Sequence, residues 1–283
     1  MPIMKIDFRN LLVVGLGDGL SEKIKVAAYF AYLKICKILT GKDGLVAPKA
    51  LKLIYGGKGF VFHVQWILDF HLLREMFVDE QYADARKIGP VPGTILDLGS
   101  NIGASVIYFK LIFPDSKIVA VEPNPECQDL LRRNLEQFGE SVRIIAAAVS
   151  GDEGTVDFFP NKAHWSSSLQ KRGGSGKPVS VRSTTLKNLC LDSGLSKIDL
   201  LKLDIEGAEY DMGEVFRSEL DIGYILGELH PKVAGKDPRE FFSLLPDGSE
   251  VLRDDPAGSH RHIFIRLSHH SRYEQEKRHF HHQ

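Results

Sequence analysis

A glycine-rich segment in the middle of the chain has the composition of a ligand-binding turn. It follows the apolar run TILDL at residues 94–98 and precedes an apolar, helical stretch. Glycine adopts backbone conformations that other residues avoid, so the chain can turn tightly there and approach a bound molecule closely. The N-terminus of the following helix attracts anionic groups. This context predicts a ligand-binding turn, and its candidate residues are Asp97, Gly99, Ser100, Asn101 and Gly103.

A second glycine cluster, near the N-terminus, resembles a dinucleotide fingerprint only superficially. The cluster contains Gly15, Gly17 and Gly19, but Leu20 occupies the position of the last required glycine. An apolar strand with an acidic end is also missing about 20 residues later. We therefore interpret this cluster as a flexible turn.

An acidic residue stands where a nucleotide-binding sheet commonly places one. The next apolar run, KIVAV, ends at Glu122 and Pro123, about 25 residues after Asp97. A carboxylate at the end of that strand can accept hydrogen bonds from both ribose hydroxyls. Glu122 alone could equally be a helix cap or an exposed acid. Together with the glycine turn, it is predicted to bind ribose.

Three acidic residues follow a later apolar run, IDLLKL. Asp204, Glu206 and Glu209 could form a metal site, a substrate clamp or a helix N-terminus favoured by the helix dipole. The dipole explains Glu209 adequately. Asp204 and Glu206 stand at the tip of the strand, so we expect them to face the cleft, with Glu206 contacting substrate.

The run after that ends in Glu228, Leu229 and His230. Residues two apart on a strand share a face, so Glu228 could orient the imidazole of His230. With Asp204 alongside, His230 is then a candidate general base. A purely structural histidine is an equally good interpretation.

An insertion at about residues 151–190 combines a possible hairpin, TVDFF and PVSVRS, with a long polar loop. Trp165, Ser166 and Ser167 in this loop could stack on a polar substrate and bond to it, or the loop could simply lie at the surface. The C-terminal histidines His269, His270, His279, His281 and His282 are irregularly spaced, which favours adventitious metal binding.

Hydrophobic periodicity predicts the strands and helices that must position these residues. From residue 94, apolar strands alternate with helical stretches, and this pattern is typical of a doubly wound α/β domain with a largely parallel sheet. We expect an N-terminal helical and irregular extension over residues 1–90, the sheet domain over 91–267 and a loose tail over 268–283. In the extension, Ile24, Ala28 and Ile35 recur at helical spacing, and Gly56, Gly57 and Gly59 predict a flexible joint.

Composition limits the possible partners and compartment. The 283 residues carry 36 Lys and Arg against 37 Asp and Glu, a net charge of −1, so no overall nucleic-acid footprint is expected. No segment is long and apolar enough to predict a membrane span. Cys36, Cys127 and Cys190 are far apart and suggest neither a disulfide framework nor a thiolate zinc site, which fits a reducing, cytoplasmic compartment.

Three motifs in order, DLGSNIGASVIYF, AVEPNP and LLKLDIEGAE, resemble the FkbM-type methyltransferases, a family of class I S-adenosylmethionine-dependent enzymes. The resemblance covers about half the chain, roughly residues 82–231. It implies a seven-stranded Rossmann-like sheet and transfer of a methyl group to a hydroxyl on a sugar, glycolipid or natural product. An alcohol needs a base or a metal ion at the acceptor before it loses its proton, and nothing in the sequence specifically supports a metal.

The resemblance also implies roles for individual residues. The glycine turn would hold the methionine part of S-adenosylmethionine, and Glu122 with Pro123 the ribose. No acid follows the third strand, so we expect the adenine beside Ala147 and Ala148. Asp97 and Asp204 would offset the positive groups of the cofactor.

Two alternative functions remain open from the sequence. One is a nicotinamide-dependent oxidoreductase on the same type of sheet, which Asn101 disfavours because it replaces the middle glycine of the fingerprint. The other is a non-catalytic cofactor-binding or scaffold protein, in which the N-terminal helices and the tail bind a partner.

Overall fold

The structure is a computed structural model that describes residues 8–41, 46–160, 169, 177–216 and 220–268. Its twelve described strands are, in chain order, β1 (Lys49–Tyr55), β2 (Lys58–Val64), β3 (Thr94–Leu98), β4 (Lys117–Val121), β5 (Val142–Ile145), β6 (Ala148–Val149), β7 (Gly154–Phe158), β8 (Val179–Thr184), β9 (Lys197–Leu203), β10 (Asp221–Leu229), β11 (Glu250–Ala257) and β12 (His260–Arg266).

The described helices surround these strands. The α-helices are α1 (Gly19–Thr40), α2 (Asp69–Phe77), α3 (Ala104–Ile112), α4 (Gln128–Leu135), α5 (Leu186–Ser193), α6 (Gly213–Phe216), α7 (Pro231–Ala234) and α8 (Pro238–Phe242). Short 3₁₀-helices span Phe8–Leu16, Ala83–Lys87, Glu136–Ser141 and Ala208–Met212. No described helix has the length and apolar content needed to cross a membrane.

Seven of the strands form one mixed sheet in the order β11-β12-β10-β9-β3-β4-β5. The strands β10, β9, β3, β4 and β5 are parallel, whereas β12 runs antiparallel to both β10 and β11. This architecture confirms the predicted doubly wound α/β fold with a mostly parallel, seven-stranded sheet.

The central strands read as apolar throughout because both faces of the sheet are covered. Ile95 packs with α1 to α4 and the β1–β2 hairpin on one face, whereas the adjacent Leu96 packs with α5 and the residues around α6 and α8 on the other. Successive side chains of a β-strand point to opposite faces of the sheet. Where both faces are covered by helices, the strand therefore needs apolar residues at every position. The amphipathic helices supply that cover.

Strand β3 lies at the point where the winding of the sheet reverses. From β3 the chain moves outward to β4 and β5, and later returns to form β9 and β10 on the other side of β3. Loops diverge at such a switch point and leave a crevice outside the carboxyl ends of the strands. The sheet order therefore places the crevice between the ends of β3 and β9.

The insertion forms a small sheet in the order β6-β8-β7. Strand β7 pairs with β8 in antiparallel register, from Gly154 opposite Ser183 to Phe158 opposite Val179, which confirms the predicted hairpin. Trp165, Ser166 and Ser167 lie outside the described residues, as do the C-terminal histidines.

The N-terminal extension differs from its sequence-based description in two respects. Gly56 and Gly57 form the turn of the β1–β2 hairpin, so the prediction of a flexible joint was wrong. Helix α1 forms as expected but buries Val26, Phe30 and Leu33, which leaves the regularly spaced Ile24 61% and Ile35 55% exposed. The apolar periodicity located the helix correctly. It did not identify which side of the helix faces the core.

The hairpin is attached to the sheet domain by both hydrogen bonds and apolar contacts. The backbone N–H of His63 donates to Asn134 of α4 at 2.6 Å, and that of Val61 donates to Gln137 at 3.0 Å. Phe62, fully buried, belongs to the same apolar cluster as Ile107 of α3 and Leu131 of α4. The hairpin is therefore part of the core that supports α3 and α4.

This packing predicts a single cooperative unfolding unit. We expect Phe62→Ala to lower the free energy of unfolding of the whole domain by about 3–5 kcal/mol, the usual cost of truncating a buried phenylalanine. The half-buried Val61→Ala, on the other face of the same strand, is the control and should cost less. Denaturant titration followed by sheet and aromatic signals is the measurement. Two separate transitions, with the sheet transition unchanged in Phe62→Ala, would show that the hairpin is an independent unit.

Candidate active site

A cavity of about 260 Å³ opens at the carboxyl ends of β3, β4, β9 and β10. Three of the predicted residues follow these strands directly: Glu122 follows β4, Asp204 follows β9, and His230 follows β10. The parallel arrangement brings together residues that are more than 100 positions apart in the sequence. All three side chains line the cavity.

The turn after β3 has a backbone that the sequence explains. Gly99 has a positive φ of 79°, and a Cβ there would lie 1.9 Å from the carbonyl oxygen of Asp204. Gly103 has a φ of 92°, and its Cβ would meet Leu135 of α4 at 3.0 Å. Gly99 thus allows β3 and β9 to approach at their tips, and Gly103 allows α3 to pack on α4. At both positions a side chain would collide with a neighbouring element, so glycine is required.

A buried ion pair lies directly beneath this turn. Lys202 of β9, only 2% exposed, donates to the carbonyl oxygens of Leu98 at 3.1 Å and Gly99 at 2.6 Å. Its Nζ lies 3.2 Å from Oδ1 of the fully buried Asp97, whose Oδ2 accepts a hydrogen bond from Ser105 at 2.6 Å. Burial lowers the pKa of Lys202, but the charges of Asp97 and Asp204 outweigh it and raise the pKa overall.

This arrangement changes the interpretation of two predicted residues. Asp97 supports the turn from below and is already neutralised by Lys202, so its charge does not face the cavity. Gly103 contacts α4 on the far side of the turn. The sequence analysis did not identify Lys202 as a residue of the site. Its position in the largely apolar run IDLLKL could have indicated one, because a buried charge needs a partner.

Glu122 connects the ends of β3 and β4. Its Oε2 accepts from the backbone N–H of Asn101 at 2.8 Å, and its Oε1 accepts from that of Asn124 at 2.7 Å. Burial raises the pKa of Glu122 to about 7, although these two hydrogen bonds oppose the shift. A carboxylate has about four lone-pair sites, so each oxygen keeps capacity for one further donor from the cavity.

The remaining predicted residues fall into two groups. Ser100, Asn101, Pro123, Ala147 and Ala148 line the cavity beside Glu122, and Glu206 and Glu228 line it beside His230. Asn101 and Glu206 have positive φ values of 49° and 54°, an uncommon conformation for residues other than glycine. Trp165, Ser166 and Ser167 lie outside the described residues, so their predicted substrate contact stays a prediction.

His230 is surrounded by carboxylates on both sides of its ring. Nδ1 lies 2.8 Å from Oε1 of Glu209. Nε2 faces the cavity and lies 3.5 Å from Glu228, 3.7 Å from Glu206 and 3.9 Å from Asp204. Burial lowers the pKa of His230, but hydrogen bonding to Glu209 and Glu228 and the nearby negative charges raise it well above its usual value.

The partner that orients the imidazole is therefore Glu209, and the expectation that Glu228 does so was wrong. Glu209 is fully buried and accepts from the backbone N–H groups of Ile205 at 3.2 Å and Gly207 at 2.9 Å. These bonds fold residues 204–209 into a tight turn beneath His230. The helix dipole, which was taken to explain Glu209, is not its main interaction.

The chain preceding β3 closes one side of the cavity. Gln81 donates a hydrogen bond to Oε1 of Glu228, and the buried Tyr82 lies in the same wall together with Met76 of α2. The N-terminal extension thus contributes side chains directly to the cavity.

Comparison with known proteins places this geometry in context. The family model described as "Methyltransferase FkbM domain" matches residues 97–241, just over half of the chain. The match begins at Asp97 and includes Glu122, Asp204, Glu209 and His230.

Individual relatives match about half of the chain. The "Methyltransferase sdnD" of Sordaria araneosa is 31% identical over 173 residues, which cover 50% of this chain and 66% of that protein. The "2-O-methyltransferase NoeI" of Sinorhizobium fredii is 28% identical over 134 residues, 42% of this chain and 55% of that protein. The chain thus spans between about half and two thirds of the length of these relatives. A solved methyltransferase structure from Geobacter sulfurreducens aligns with 66% of this chain and 76% of its own, at 16% identity and a TM-score of 0.38.

The buried pair beneath the turn makes a direct stability prediction. We expect Lys202→Met to lower the free energy of unfolding by about 3–5 kcal/mol, because Asp97 is then left buried without its cation. Lys197→Met, on the same strand but in an exposed pair with Asp199, is the control and should cost less than about 1 kcal/mol. Denaturant unfolding of both variants is the measurement. Adding Asp97→Asn should recover part of the loss, and equal stability of the two lysine variants would refute the account.

Proposed function

The chain belongs to the FkbM methyltransferase family, and we propose that it transfers a methyl group from S-adenosylmethionine to a hydroxyl group of a small-molecule or glycan acceptor. One observation carries this proposal. A glycine turn and a carboxylate with spare acceptor capacity share a single cavity with a histidine–carboxylate cluster, at the switch point of the sheet. The glycine turn and the carboxylate suit binding of a nucleoside-type methyl donor. The histidine–carboxylate cluster suits removal of a proton from an alcohol.

The residues present fit the cofactor half of this proposal. Glu122 has lone pairs available for the ribose hydroxyls. The backbone of Gly99, Ser100 and Asn101 can hold the amino-acid portion beside the start of α3, and Ala147 and Ala148 form an apolar wall suited to a base. When bound, S-adenosylmethionine supplies an electrophilic methyl group on a sulfonium sulfur.

Asp204 links the two halves of the cavity. Its side chain is 28% exposed and lies between Lys202, at 3.7 Å, and Nε2 of His230, at 3.9 Å. A carboxylate there would attract the positive charge of the sulfonium group and orient it towards the cluster. This position supports the proposal that Asp204 contacts the cofactor as well as the acceptor side.

The acceptor half consists of Asp204, Glu228 and His230, with Glu206 nearby. We assign removal of the hydroxyl proton to this cluster, because an alcohol is a poor nucleophile until it is deprotonated. Glu209 holds His230 by Nδ1, so Nε2 is directed at the acceptor. The name of the 28% identical relative, a 2-O-methyltransferase, supports oxygen as the atom methylated. Alignment of the two substrates and exclusion of water supply much of the remaining acceleration.

The ribose assignment predicts a pH-dependent affinity. Because the pKa of Glu122 is about 7, protonation removes the acceptor carboxylate at lower pH. Affinity for S-adenosylhomocysteine should therefore rise as pH increases through about 7. Glu122→Gln should weaken binding by roughly 10- to 150-fold at pH 8, equivalent to ~1.5–3 kcal/mol, and should abolish this pH dependence.

Calorimetric titration with S-adenosylhomocysteine is the measurement. The exposed Glu126→Gln, four residues later, is the control and should bind as the wild type does. Unchanged affinity in Glu122→Gln would remove Glu122 from the ribose site. Binding of NAD in place of S-adenosylhomocysteine would favour an oxidoreductase.

The acceptor assignment predicts a loss of turnover without a loss of cofactor binding. His230→Gln should lower methyl transfer by ~10²–10⁴-fold, the usual contribution of general acid–base catalysis, because it disrupts the cluster to which removal of the proton is assigned. Affinity for S-adenosylhomocysteine should stay within about twofold, since Glu122 and the turn are untouched. Transfer of radiolabelled methyl to a panel of hydroxylated sugars, glycolipids and natural products is the measurement, with His63→Gln as control. Full turnover in a folded His230→Gln protein would exclude this role.

A further inference from the structure

Two sets of metal-ligating side chains meet at His230. Ligand atoms of Asp204, Glu206 and His230 all lie within 4.8 Å of one another, and so do those of Glu228, His230 and His260. His230 belongs to both sets, and its Nε2 is the ring nitrogen that three carboxylates approach, those of Asp204, Glu206 and Glu228. The side chain of His230 is only 7% exposed, so this nitrogen is fixed within the wall of the cavity.

The carboxylates around Nε2 lie slightly farther away than the ligand atoms of a metal site lie from one another. Carboxylates lie 3.5, 3.7 and 3.9 Å from Nε2, all at or beyond the upper limit of a good hydrogen bond. Atoms that bind a metal at about 2.1 Å stand about 3.0 Å apart in an octahedral site and about 3.4 Å apart in a tetrahedral one. Movements of less than about 1 Å would therefore bring the carboxylate oxygens of Asp204 and Glu206 to such separations from Nε2.

The other ring nitrogen supplies an independent observation. Metal-binding histidines commonly donate their second N–H to a carboxylate, which fixes the ring orientation and increases the basicity of the ligating nitrogen. Here Nδ1 lies 2.8 Å from Glu209, and Glu209 is itself fully buried and held by two backbone N–H groups. Fixing Nδ1 in this way leaves Nε2 directed at Asp204 and Glu206.

The cluster is also rich in negative charge. Asp204, Glu206 and Glu228 surround Nε2, and Glu209 lies behind the ring. Lys202, which lies 3.7 Å from Asp204, also pairs with Asp97 and donates to two backbone carbonyl oxygens. Carboxylates that are held together in a partly buried site are stabilised by binding a metal.

We propose that Asp204, Glu206 and His230 bind a divalent cation. Two of the three ligands are carboxylates, and carboxylate oxygens suit an ion such as Mn²⁺. Three protein ligands leave coordination positions open towards the cavity, as metal ions that act on substrates require. The ion would lie where Nε2 faces the cavity, next to Glu228.

This proposal rests on the proposed function only for what the cation does. A hydroxyl bound to a cation loses its proton more readily than a free alcohol, as water does. With the ion in place, Nε2 is a ligand and does not accept the proton. Glu228, 3.5 Å from Nε2, is then the nearest carboxylate available to receive it. Cation binding can be measured without an acceptor or a methyl donor.

The test is a titration of the full-length chain with Mn²⁺ alone, after removal of metals by a chelator. Free Mn²⁺ is followed by electron paramagnetic resonance. Every protein carries serine in place of the C-terminal histidines, which would otherwise bind metal adventitiously. We expect one Mn²⁺ per chain, and at least ~10-fold weaker binding in Asp204→Asn, Glu206→Gln and His230→Gln. Glu209→Gln, which removes the carboxylate that holds Nδ1 and leaves the three proposed ligands in place, should weaken binding by ~10–100-fold.

Two controls make the result decisive. Glu140→Gln and His63→Gln remove an exposed carboxylate and a histidine outside the cluster, and both should bind Mn²⁺ as the parent does. Thermal unfolding of each preparation shows that weaker binding is not a loss of fold. Absence of a stoichiometric site in the parent, or undiminished binding in His230→Gln, would overturn the proposal. So would loss of binding in His260→Gln but not in Asp204→Asn, since the ligands would then be those of the other set.

A parallel titration with S-adenosylhomocysteine separates this proposal from the proposed function. Mn²⁺ binding without S-adenosylhomocysteine binding would support the cation site and contradict the methyltransferase assignment. The reverse result would retain the methyltransferase and overturn the cation site.

Discussion

The close contact between the tips of β3 and β9 is the constraint on which the site depends. Gly99 lies so near the Asp204 carbonyl that a side chain would not fit between them. Lys202 joins the two tips through the carbonyl oxygens of Leu98 and Gly99, and Asp97 neutralises its charge. Because a buried charge is costly unless it is paired and hydrogen-bonded, the lysine and the aspartate are required together. The turn and the strand that carries Asp204 therefore form one rigid unit.

From this unit the cavity extends in two directions that differ in chemistry. Towards β4, Glu122 bonds to the backbone of the turn and leaves lone pairs facing a wall of small residues. Towards β10, the chain after Asp204 folds back so that Glu209 holds His230, whose other nitrogen faces a group of carboxylates. The proposed methyl donor and acceptor would thus meet at Asp204, the residue shared by both halves. Gln81, from the N-terminal extension, bonds to Glu228 and adds a wall to the acceptor side.

The sequence predicted features that follow from chain periodicity, but it did not predict those that depend on distant contacts. Alternating apolar strands and helices identified the doubly wound sheet and placed Glu122, Asp204 and His230 at its carboxyl edge. In α1 the apolar spacing was real, but Phe30 and Leu33 face the core instead of Ile24 and Ile35. The choice between Glu209 and Glu228 depends on how residues 204–209 fold back, which is set by backbone hydrogen bonds rather than by strand alternation. Lys202 could have been identified from its position within a buried strand.

The central claim is that the cavity between β3 and β9 binds a methyl donor through the glycine turn and Glu122. A crystal structure of the full chain with S-adenosylhomocysteine tests it most directly. The account predicts ribose hydroxyls within hydrogen-bonding distance of Glu122, the base against Ala147 and Ala148, and the sulfur between Asp204 and the turn. S-adenosylhomocysteine bound outside this cavity, or inside it with Glu122 bonded only to Asn101 and Asn124, would contradict the account.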